Sequence, residues 1–429
     1  MAKRCGISVK QLDYKKKQLQ FSKIDIATVA KKNKTPFYLY SEEILSDNYQ
    51  TFYQGAKKAG LHNPLVCFAL KSNPNKELVK ILAKLGSGAD IVSGGELKRA
   101  LEAGIPAQKI VFSGVGKTEE EIMYALKLPG KGIYSFNVES LEELELINSC
   151  AKKLKKLARI CFRLNPVVNA KTHKNISTGN KTHKFGLLEK DVLKTLGKPK
   201  YWSHSSLVGL SIHIGSQLLD LKATKKAIQR LSEVCLKTKV NLEFIDVGGG
   251  LGVDYHPSET KRLPTIDTYM ELVAKTLKKH YYSKTDFKPA VVFEPGRRII
   301  AQAGIFVMSV IRNKVSENNT FVVVDGGMND FMRPSLYDAY HAVVPVKEAK
   351  AEVDSHVVGP ICETSDCFGS NRMLPNLKSG DLVILKDTGA YGYSMGSNYN
   401  LRGRPLEILI DKSKKLKIIN KAQDYSELT

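Results

Sequence analysis

The sequence predicts an α/β protein with two parts, a (β/α)8 barrel of the TIM type and a mostly antiparallel β-sandwich or β-barrel domain. Between about residues 36 and 300, short apolar runs alternate with stretches of helical apolar spacing, and eight strand–helix units have the length of one barrel. After about residue 300, apolar runs follow one another without long helices, as in antiparallel sheets. A doubly wound sheet is the competing architecture, but it seldom carries eight such units with polar residues after nearly all of them.

We place the barrel at residues 36–300 and assign residues 1–35 and 301–429 to the β domain, to which the N-terminal segment should add a strand. The predicted barrel strands are Leu65–Leu70, Asp90–Val92, Ile110–Ser113, Ile133–Val138, Arg159–Leu164, Val208–Ile214, Phe244–Val247 and Val291–Glu294. Helices are predicted between them, for example at Asn75–Leu85, Gly95–Ala103, Thr118–Leu126, Ser140–Lys155 and Leu221–Lys237. The strands of the β domain are predicted at Ala303–Ile311, Phe321–Asp325, Ser355–Ile361, Asp381–Leu385, Leu406–Leu409 and Leu416–Ile419.

Composition argues against several classes of protein. No apolar run approaches the roughly 18 residues that span a bilayer, and no apolar stretch follows the N-terminal charges as in a secretory signal. The seven cysteines are odd in number and scattered, which favours the reducing cytoplasm, and no Cys or His spacing matches a structural zinc site. The net charge of +23 comes from short lysine clusters without interleaved aromatic residues, so we expect no nucleic-acid binding; an RNA-binding role is the alternative.

Lys71 directly follows the first predicted barrel strand, Leu65–Leu70. An amine at the end of a buried apolar strand is poorly solvated and readily loses its proton. A lysine with an available lone pair forms a Schiff base with an aldehyde, above all with that of pyridoxal 5′-phosphate. Most lysines at strand ends are only solvated, so the assignment depends on the other parts of the site.

Polar residues and glycines accompany the other predicted strands, at the face where barrel enzymes carry their active sites. They are Asp90, Arg163, His213, Ser216, Gly248–Gly252, Glu294, Gly296 and Arg297. A glycine in a turn or a single histidine is commonplace. Jointly, these residues predict an active site at the carboxyl ends of the strands.

Each residue type suits one part of a pyridoxal phosphate site. Gly249 and Gly250, within a run of three glycines, let backbone N–H groups converge on a phosphate, and Ser216 can add a hydroxyl donor. Glu294 can pair with the pyridine nitrogen and keep it protonated, which makes the ring a better electron sink. His213 is suited to stack against the ring face. The sequence therefore predicts pyridoxal 5′-phosphate as the cofactor and no metal.

The most specific segments lie in the β domain: DGGMNDFMRPSLY at Asp325–Tyr337, GPICETSD at Gly359–Asp366, and SNYN at Ser397–Asn400. With the barrel motifs, they resemble the fold-type III pyridoxal phosphate enzymes, and most closely the diaminopimelate decarboxylases, over nearly the whole chain. The resemblance implies that Lys71 carries the cofactor and that Cys362 donates a proton. It implies cofactor contacts from Asp90, His213, Ser216, Gly249, Gly250, Glu294, Gly296, Arg297 and Tyr391. It implies substrate contacts from Arg297, Arg333, Tyr337, Glu363 and Tyr391.

The predicted substrate pocket also suits this assignment chemically. Arg297 and Arg333, with Tyr337, suit a distal carboxylate, and Glu363 suits a distal ammonium, so the pocket matches an amino-acid terminus. Meso-diaminopimelate has such a terminus at both ends, and its decarboxylation gives L-lysine and carbon dioxide. The resemblance also implies a homodimer with shared active sites, in which Cys362 reaches the cofactor of the neighbouring subunit.

Three points stay open at this level. The substrate could instead be another basic amino acid, such as ornithine or arginine, or carboxynorspermidine. A non-catalytic pyridoxal phosphate binding protein is a further alternative, although it would not be expected to carry the second domain or the Cys362–Glu363 pair. Residues 169–184, with His173 and His183, form a polar stretch that we interpret as a mobile lid, and Cys367 places a second thiol near Cys362.

Overall fold

A computed structural model describes residues 12–168, 184–198, 202–256, 263–317 and 319–428 of the chain. Contacts divide the chain into two compact units. One, here the β unit, comprises Met1–Asn48, Asp254–Lys261 and Ile299–Thr429; the other, the barrel unit, comprises Tyr49–Val253 and Arg262–Arg298. The predicted lid, with His173 and His183, lies outside the described residues apart from Lys184. Among the described residues, no helix has both the length and the apolar character needed to cross a bilayer.

The N-terminal segment belongs to the β unit and forms a small antiparallel sheet of its own there. Its elements are β1 (Leu12–Lys15), β2 (Gln18–Phe21), β3 (Ile24–Asp25) and helix α1 (Ile26–Lys32). Asp25 caps this helix by accepting a hydrogen bond from the N–H of Ala27 at 2.8 Å. The next strand, β4 (Phe37–Ser41), is buried throughout and lies inside the larger sheet of the β unit, between strands from the far end of the chain.

The eight predicted barrel strands form one closed parallel barrel, which confirms the predicted fold class. They are β5 (Leu65–Ala69), β6 (Gly88–Ile91), β7 (Ile110–Phe112), β8 (Ser135–Val138), β9 (Ala158–Arg163), β10 (Ser205–Ser211), β11 (Phe244–Asp246) and β12 (Ala290–Phe293). The helices before and between them are α2 (Glu42–Lys58), α3 (Lys76–Lys84), α4 (Gly94–Glu102), α5 (Glu119–Lys127), α6 (Leu141–Lys153), α7 (Glu189–Leu196), α8 (Lys222–Thr238) and α9 (Ile266–His280). Ser93, Thr118 and Ser140 begin three of these helices by accepting a backbone N–H with the side-chain oxygen.

The barrel interior changes from apolar to polar along the strands. A buried apolar cluster consists of Cys67, Val111, Cys161, Val208, Phe244 and Val292. Because side chains alternate along a strand, the residue two positions later faces the same side. On four of these strands that residue is Ser113, Arg163, Asp246 or Glu294, and all four are buried. The register of the strands thus places a polar layer directly above the apolar one, towards the carboxyl ends.

The β unit contains a sheet of nine strands among the described residues, mostly antiparallel as predicted. After α10 (Arg297–Ile300), its remaining elements are β13 (Gly304–Ser316), β14 (Asn319–Val324), α11 (Arg333–Tyr337), β15 (Val343–Pro345), β16 (Val353–Val358), β17 (Cys367–Leu374), β18 (Leu382–Leu385), β19 (Leu406–Ile410) and β20 (Leu416–Asn420). Two pairs, β14 with β16 and β4 with β19, are parallel. Sequence analysis missed β17, whose outward residues are mostly polar.

Replacing Phe244 by alanine tests the packing of the apolar layer. The Phe244 ring is fully buried, and a Cβ atom on Gly209 of the neighbouring strand would lie 2.5 Å from it, so the ring leaves no space for a larger residue there. We expect Phe244→Ala to lower the free energy of unfolding by about 3–5 kcal/mol. Urea unfolding followed by circular dichroism measures the change. Phe287→Ala removes a ring that is 37% exposed in the same unit and should cost far less; equal losses would contradict the layered core.

Candidate active site

Lys71 lies just after the first barrel strand, in the short helical turn Leu70–Ser72. Its Nζ donates a hydrogen bond to Asp90 Oδ2 at 2.9 Å. The contact follows from the strand register, because Ala69 and Asp90 are aligned on neighbouring parallel strands. The lysine side chain is 38% exposed whereas the Asp90 side chain is fully buried. The amine is therefore accessible to a small molecule while a buried carboxylate fixes its position.

Two further carboxyl groups, Asp246 and Glu294, lie in the polar layer. Asn137 Nδ2 donates to Glu294 Oε1 at 3.2 Å and to Ser113 Oγ at 3.0 Å, so an amide crosses the layer from the opposite side of the barrel. Burial raises the pKa of Asp246 to about 7. Burial, and after it the charge of Asp246, raises the pKa of Glu294 well above its usual value. A Glu294 carboxyl with this high proton affinity suits a ring nitrogen that must be kept protonated.

His213 is half-buried beside this layer as a neutral imidazole. Burial, and then the positive charges of Arg163 and Lys71, lower the pKa of His213 well below its usual value. His213 Nδ1 accepts a hydrogen bond from the Gly249 N–H at 3.3 Å. Arg163 is held by Glu139 Oε1 at 2.6 Å. An uncharged flat ring fixed in this way can stack on an aromatic cofactor without opposing the charge of a pyridinium.

Gly248–Gly250 form a tight turn. Any residue with a side chain at these positions would force the neighbouring backbone to move. Gly250 has a φ of +101°, and a Cβ atom there would lie 2.2 Å from Gly215 O. A Cβ atom on Gly249 would lie 2.1 Å from Glu294 O. The turn therefore follows the neighbouring strand ends at backbone contact distance and presents a surface made of peptide groups rather than side chains.

Ser216 and Arg297 form a second polar pair in the barrel unit. Arg297 Nη2 donates to Ser216 Oγ at 3.0 Å, so the hydroxyl proton of Ser216 points to a different acceptor. Gly296 precedes the arginine, and a Cβ atom there would approach Ser72 Cβ to 3.0 Å. A guanidinium and a hydroxyl in contact can together bind an anionic group.

The barrel residues fit pyridoxal phosphate. The cofactor needs an amine for its aldehyde, an acid for its ring nitrogen and donors for its phosphate. Lys71, Glu294 and the Ser216–Arg297 pair are groups of these three kinds, and all lie in the barrel unit. Asp90 Oδ1 and Asp246 Oδ2 are buried without a hydrogen-bond partner among the described residues, so the layer carries more negative charge than its own donors satisfy. A cationic ring would relieve that excess.

Two aromatic neighbours in the β unit orient the guanidinium of Arg333, a group that can bind an anion. Arg333 lies one helical turn from Tyr337, so both residues share a face of α11. The guanidinium lies over the Tyr255 ring, 4.8 Å from its centre, and Arg333 Nη1 donates to His341 Nε2. Since arginine has no acceptor, the Nδ1 of His341 must carry the ring proton, which it donates to Lys386 O at 2.8 Å.

The loop before β17 is shaped by one buried carboxylate. Asp366 Oδ1 accepts from the N–H of Met328 and Oδ2 from that of Ile361, each at 2.7 Å. Burial raises the pKa of Asp366 to about 6. A Cβ atom on Gly359 would overlap this carboxylate at 2.4 Å, which explains why glycine begins the loop. The shape of the GPICETSD loop thus comes from Asp366 rather than from the exposed residues of the loop.

Cys362 and Glu363 are the exposed residues at the tip of that loop. The Glu363 carboxylate accepts hydrogen bonds from Tyr399 OH and from Ser365 Oγ, the latter at 3.1 Å. These bonds orient the carboxylate without burying it. Tyr391, on another loop of the β unit, has a φ of +57°, a conformation that is strained for an aromatic residue and often found at functional sites.

Similarity to known proteins identifies the family of this chain. The model for "Pyridoxal-dependent decarboxylase, pyridoxal binding domain" matches residues 50–301. A diaminopimelate decarboxylase of Helicobacter pylori strain J99 is 42% identical over 403 residues, which are 92% of this chain and 95% of that protein. The chain belongs to the diaminopimelate decarboxylase family. Its cofactor is accordingly pyridoxal phosphate.

Solved structures of this family have the same fold over both units. The diaminopimelate decarboxylase of M. jannaschii, in co-complex with L-lysine, has a TM-score of 0.91 and 36% identity, covering 98% of this chain and 96% of that one. The enzyme of H. pylori, complexed with L-lysine, has a TM-score of 0.85 and 40% identity, covering 94% and 98%. The resemblance predicted from motifs is thereby confirmed.

The structure divides the predicted site residues of this family member between its two units. The barrel unit carries Lys71, Asp90, His213, Ser216, Gly249, Gly250, Glu294, Gly296 and Arg297. The β unit carries Arg333, Tyr337, Cys362, Glu363 and Tyr391. Within the barrel unit the first group is brought together at the carboxyl ends of the strands, and their individual roles stay predictions.

Sequence analysis missed the residues that hold the predicted site residues in place. Asn137, Glu139 and Asp246 bond to or contact Glu294 and Arg163 inside the barrel. The alternation of β8 could have identified Asn137, since it places a polar residue inside the barrel at a strand end. His341 had no such signal, because its contact with Arg333 depends on the tertiary fold.

Gly250→Ala tests the glycine turn. The added Cβ would overlap Gly215 O, and a φ of +101° is unfavourable for alanine, so we expect cofactor affinity to fall at least about tenfold. Fluorescence titration of the cofactor-free chain with pyridoxal phosphate measures the affinity. Gly116→Ala, where a Cβ atom meets nothing within 4 Å, is the matched control and should bind normally. Unchanged affinity of the Gly250 variant would exclude the turn from the cofactor site.

Proposed function

We propose that this chain removes the carboxylate at the D-centre of meso-2,6-diaminopimelate and releases L-lysine and carbon dioxide, the last step of lysine biosynthesis. The observation that carries the proposal is its end-to-end similarity to diaminopimelate decarboxylases, which extends through the β unit as well as the barrel. The site geometry supports it, because both units carry charged groups suited to an amino acid with two carboxylates.

When bound, pyridoxal phosphate supplies an electron sink for the electron pair that remains on the α-carbon after carbon dioxide leaves. Lys71 holds the cofactor between turnovers, and Asp90, 2.9 Å away, retains its ammonium while substrate occupies the site. Glu294, as a carboxylate, would pair with the protonated ring nitrogen and keep its proton in place. Neutral His213 stacks on the ring and adds no positive charge that would compete with it.

The substrate is recognised at its far end. Arg333, buried at 5% exposure and oriented by His341, binds the distal carboxylate together with Tyr337. Each charge-assisted hydrogen bond to a carboxylate contributes about 1.5–3 kcal/mol. Glu363 binds the distal ammonium. Ornithine and lysine have only an ammonium at that end, so they would leave the guanidinium of Arg333 without an anion.

Carbon dioxide release from a substrate panel tests this function. We expect the purified enzyme to release carbon dioxide from meso-diaminopimelate at least about a hundredfold faster than from ornithine, lysine, arginine or carboxynorspermidine. Without a distal carboxylate, the contacts to Arg333 and to Tyr337 are both lost, at about 1.5–3 kcal/mol each. Lys71→Ala should lose turnover and the absorbance of the lysine-bound cofactor. The matched control Lys76→Ala, on the exposed start of α3, should keep both. A preference for any diamine precursor would overturn the assignment, and borohydride labelling of another lysine would overturn the role of Lys71.

We further propose a homodimer in which Cys362 and Glu363 of one subunit complete the site of the other, with Cys362 returning a proton to the α-carbon. The exposure of the loop tip, held rigidly by Asp366 but turned to solvent, supports a role outside its own chain. The cytoplasmic location and the absence of nucleic-acid binding also stay predictions.

Mixing two inactive variants tests the shared site. If Lys71 and Cys362 come from different subunits, then Lys71→Ala and Cys362→Ala chains, unfolded together and refolded, should regain about a quarter of wild-type activity, since half of the dimers are mixed and each has one intact site. Lys71→Ala mixed with Glu294→Gln is the control and should regain none, because both changes lie in the barrel unit. Native mass spectrometry confirms that mixed dimers form. No recovery in mixed dimers would show that each site is built from one chain.

A further inference from the structure

Asp246 and Glu294 are neighbours whose contact is set by the strand register. Asp246 is aligned with Val292 on the adjacent parallel strand, so Glu294 lies two residues further along on the same inward face. Asp246 is 0% exposed and Glu294 is 7% exposed. Each carboxyl group acts on the pKa of the other, as expected of inward side chains on adjacent strands.

The donors around the pair do not satisfy two carboxylates. Asp246 Oδ1 accepts from the Gly248 N–H at 2.8 Å, and Glu294 Oε1 accepts from Asn137 Nδ2 at 3.2 Å. Asp246 Oδ2 is buried with no partner donor in the described part of the chain. A buried carboxylate oxygen without a donor, next to a second carboxyl group, is stable only if one of the two groups carries a proton. Asp246 and Glu294 therefore require one proton between them.

The surrounding charges do not remove this requirement. The cations that act on the pair are Lys71 and Arg163, and each is already bonded to a carboxylate of its own, Asp90 at 2.9 Å and Glu139 at 2.6 Å. Asp90 adds a third negative charge that acts on both members of the pair. The neighbouring thiols of Cys67 and Cys161 are uncharged, since burial raises the pKa of each well above its usual value.

We propose that Asp246 and Glu294 share one proton, carried by Glu294 and donated to Asp246 Oδ2, and that Glu294 passes this proton to the ring nitrogen when pyridoxal phosphate binds. The transfer is balanced: the O–H bond of Glu294 breaks, an N–H bond forms, and Glu294 becomes the carboxylate that pairs with the new pyridinium. Asp246 does not touch the cofactor. It is a positioning residue whose charge keeps Glu294 protonated before binding.

This arrangement gives the two acids different tasks. Burial first, and then the charge of Asp246, raises the pKa of Glu294, so Glu294 is the member of the pair that carries the proton. The ring nitrogen therefore receives its proton from inside the barrel, where no exposed path to solvent is needed. The inference deepens the proposed cofactor site and rests on it for the transfer, but the sharing of the proton is a property of the protein alone.

Infrared spectroscopy of the full-length chain tests both parts. At about pH 8.5, carboxyl groups with a pKa near 7, such as Glu96 and Asp330, are ionised, so a band of a protonated carboxyl group reports on the proposed pair. We expect this band in the wild type without cofactor, its loss in Glu294→Gln, and its loss in Asp246→Asn, which retains an oxygen for the Gly248 N–H. Adding pyridoxal phosphate to the wild type should also remove the band.

Each other outcome overturns part of the proposal. A wild type without the band excludes the shared proton, and this result does not depend on any variant folding. A band that persists in Asp246→Asn but not in Glu294→Gln shows that Glu294 holds its proton alone. A band that survives saturation with pyridoxal phosphate excludes the transfer. Glu96→Gln is the control for sensitivity and should change the spectrum at about pH 6 but not at about pH 8.5. Failure of the proposed reaction would appear separately, as absent carbon dioxide release with the band pattern intact.

Discussion

The change from an apolar to a polar layer inside the barrel is the constraint on which the active site depends. Phe244 and Val292 belong to the apolar layer, and two residues later the same strands carry Asp246 and Glu294. Strand geometry allows no intermediate arrangement, because a shift of one residue would turn every inward side chain outward. The acids therefore take their positions from the same pairing that builds the core. A site built on paired strands is held more rigidly than one built on loops alone.

Burying this much charge requires compensation, and the barrel unit uses two kinds. Lys117 and Arg163 are buried cations with direct carboxylate partners, Glu143 at 2.7 Å and Glu139 at 2.6 Å. Such pairs fix geometry more than they add stability, because the desolvation of both charges offsets much of their attraction. Lys71 is different, since its side chain is 38% exposed and it must be able to change partners. Lys117 and Arg163 are thus buried in direct ion pairs, whereas the Lys71 amine is accessible and bonded to the carboxylate of Asp90.

In the β unit, buried aspartates hold exposed loop residues in a fixed arrangement. Asp330 accepts from the Gly327 N–H of its own loop, and Asp366 accepts from the Ile361 N–H of its own loop and from the Met328 N–H of the other; both are buried. A carboxylate that bonds to main-chain donors restrains the loop whichever side chains the loop exposes. Asp330 and Asp366 of the DGGMNDF and CETSD motifs are therefore mainly structural, and the residues with proposed chemical roles, Cys362 and Glu363, lie on the exposed side of the second loop.

The sequence predicted those features whose causes are local. Apolar runs identified the eight barrel strands, and Lys71 was recognisable because it directly follows one of them. It did not predict partners that are distant in the chain: Asn137 meets Glu294 across 157 residues, and Phe37–Ser41 pairs with strands that begin at Gly304 and Leu406. No local pattern encodes such pairings, because they arise only when the barrel closes or the sheet assembles.

Asp246 shows how a local explanation can hide a functional one. An aspartate two residues before a glycine is typical of a turn in which the carboxylate accepts a backbone N–H, and Asp246 Oδ1 does bond to the Gly248 N–H. That bond accounts for one oxygen. The second oxygen faces inward at the level of Glu294 only because β11 and β12 are paired in one register. The same side chain therefore both begins the glycine turn and lies beside Glu294, so one residue links the backbone of that turn to the polar layer of the barrel.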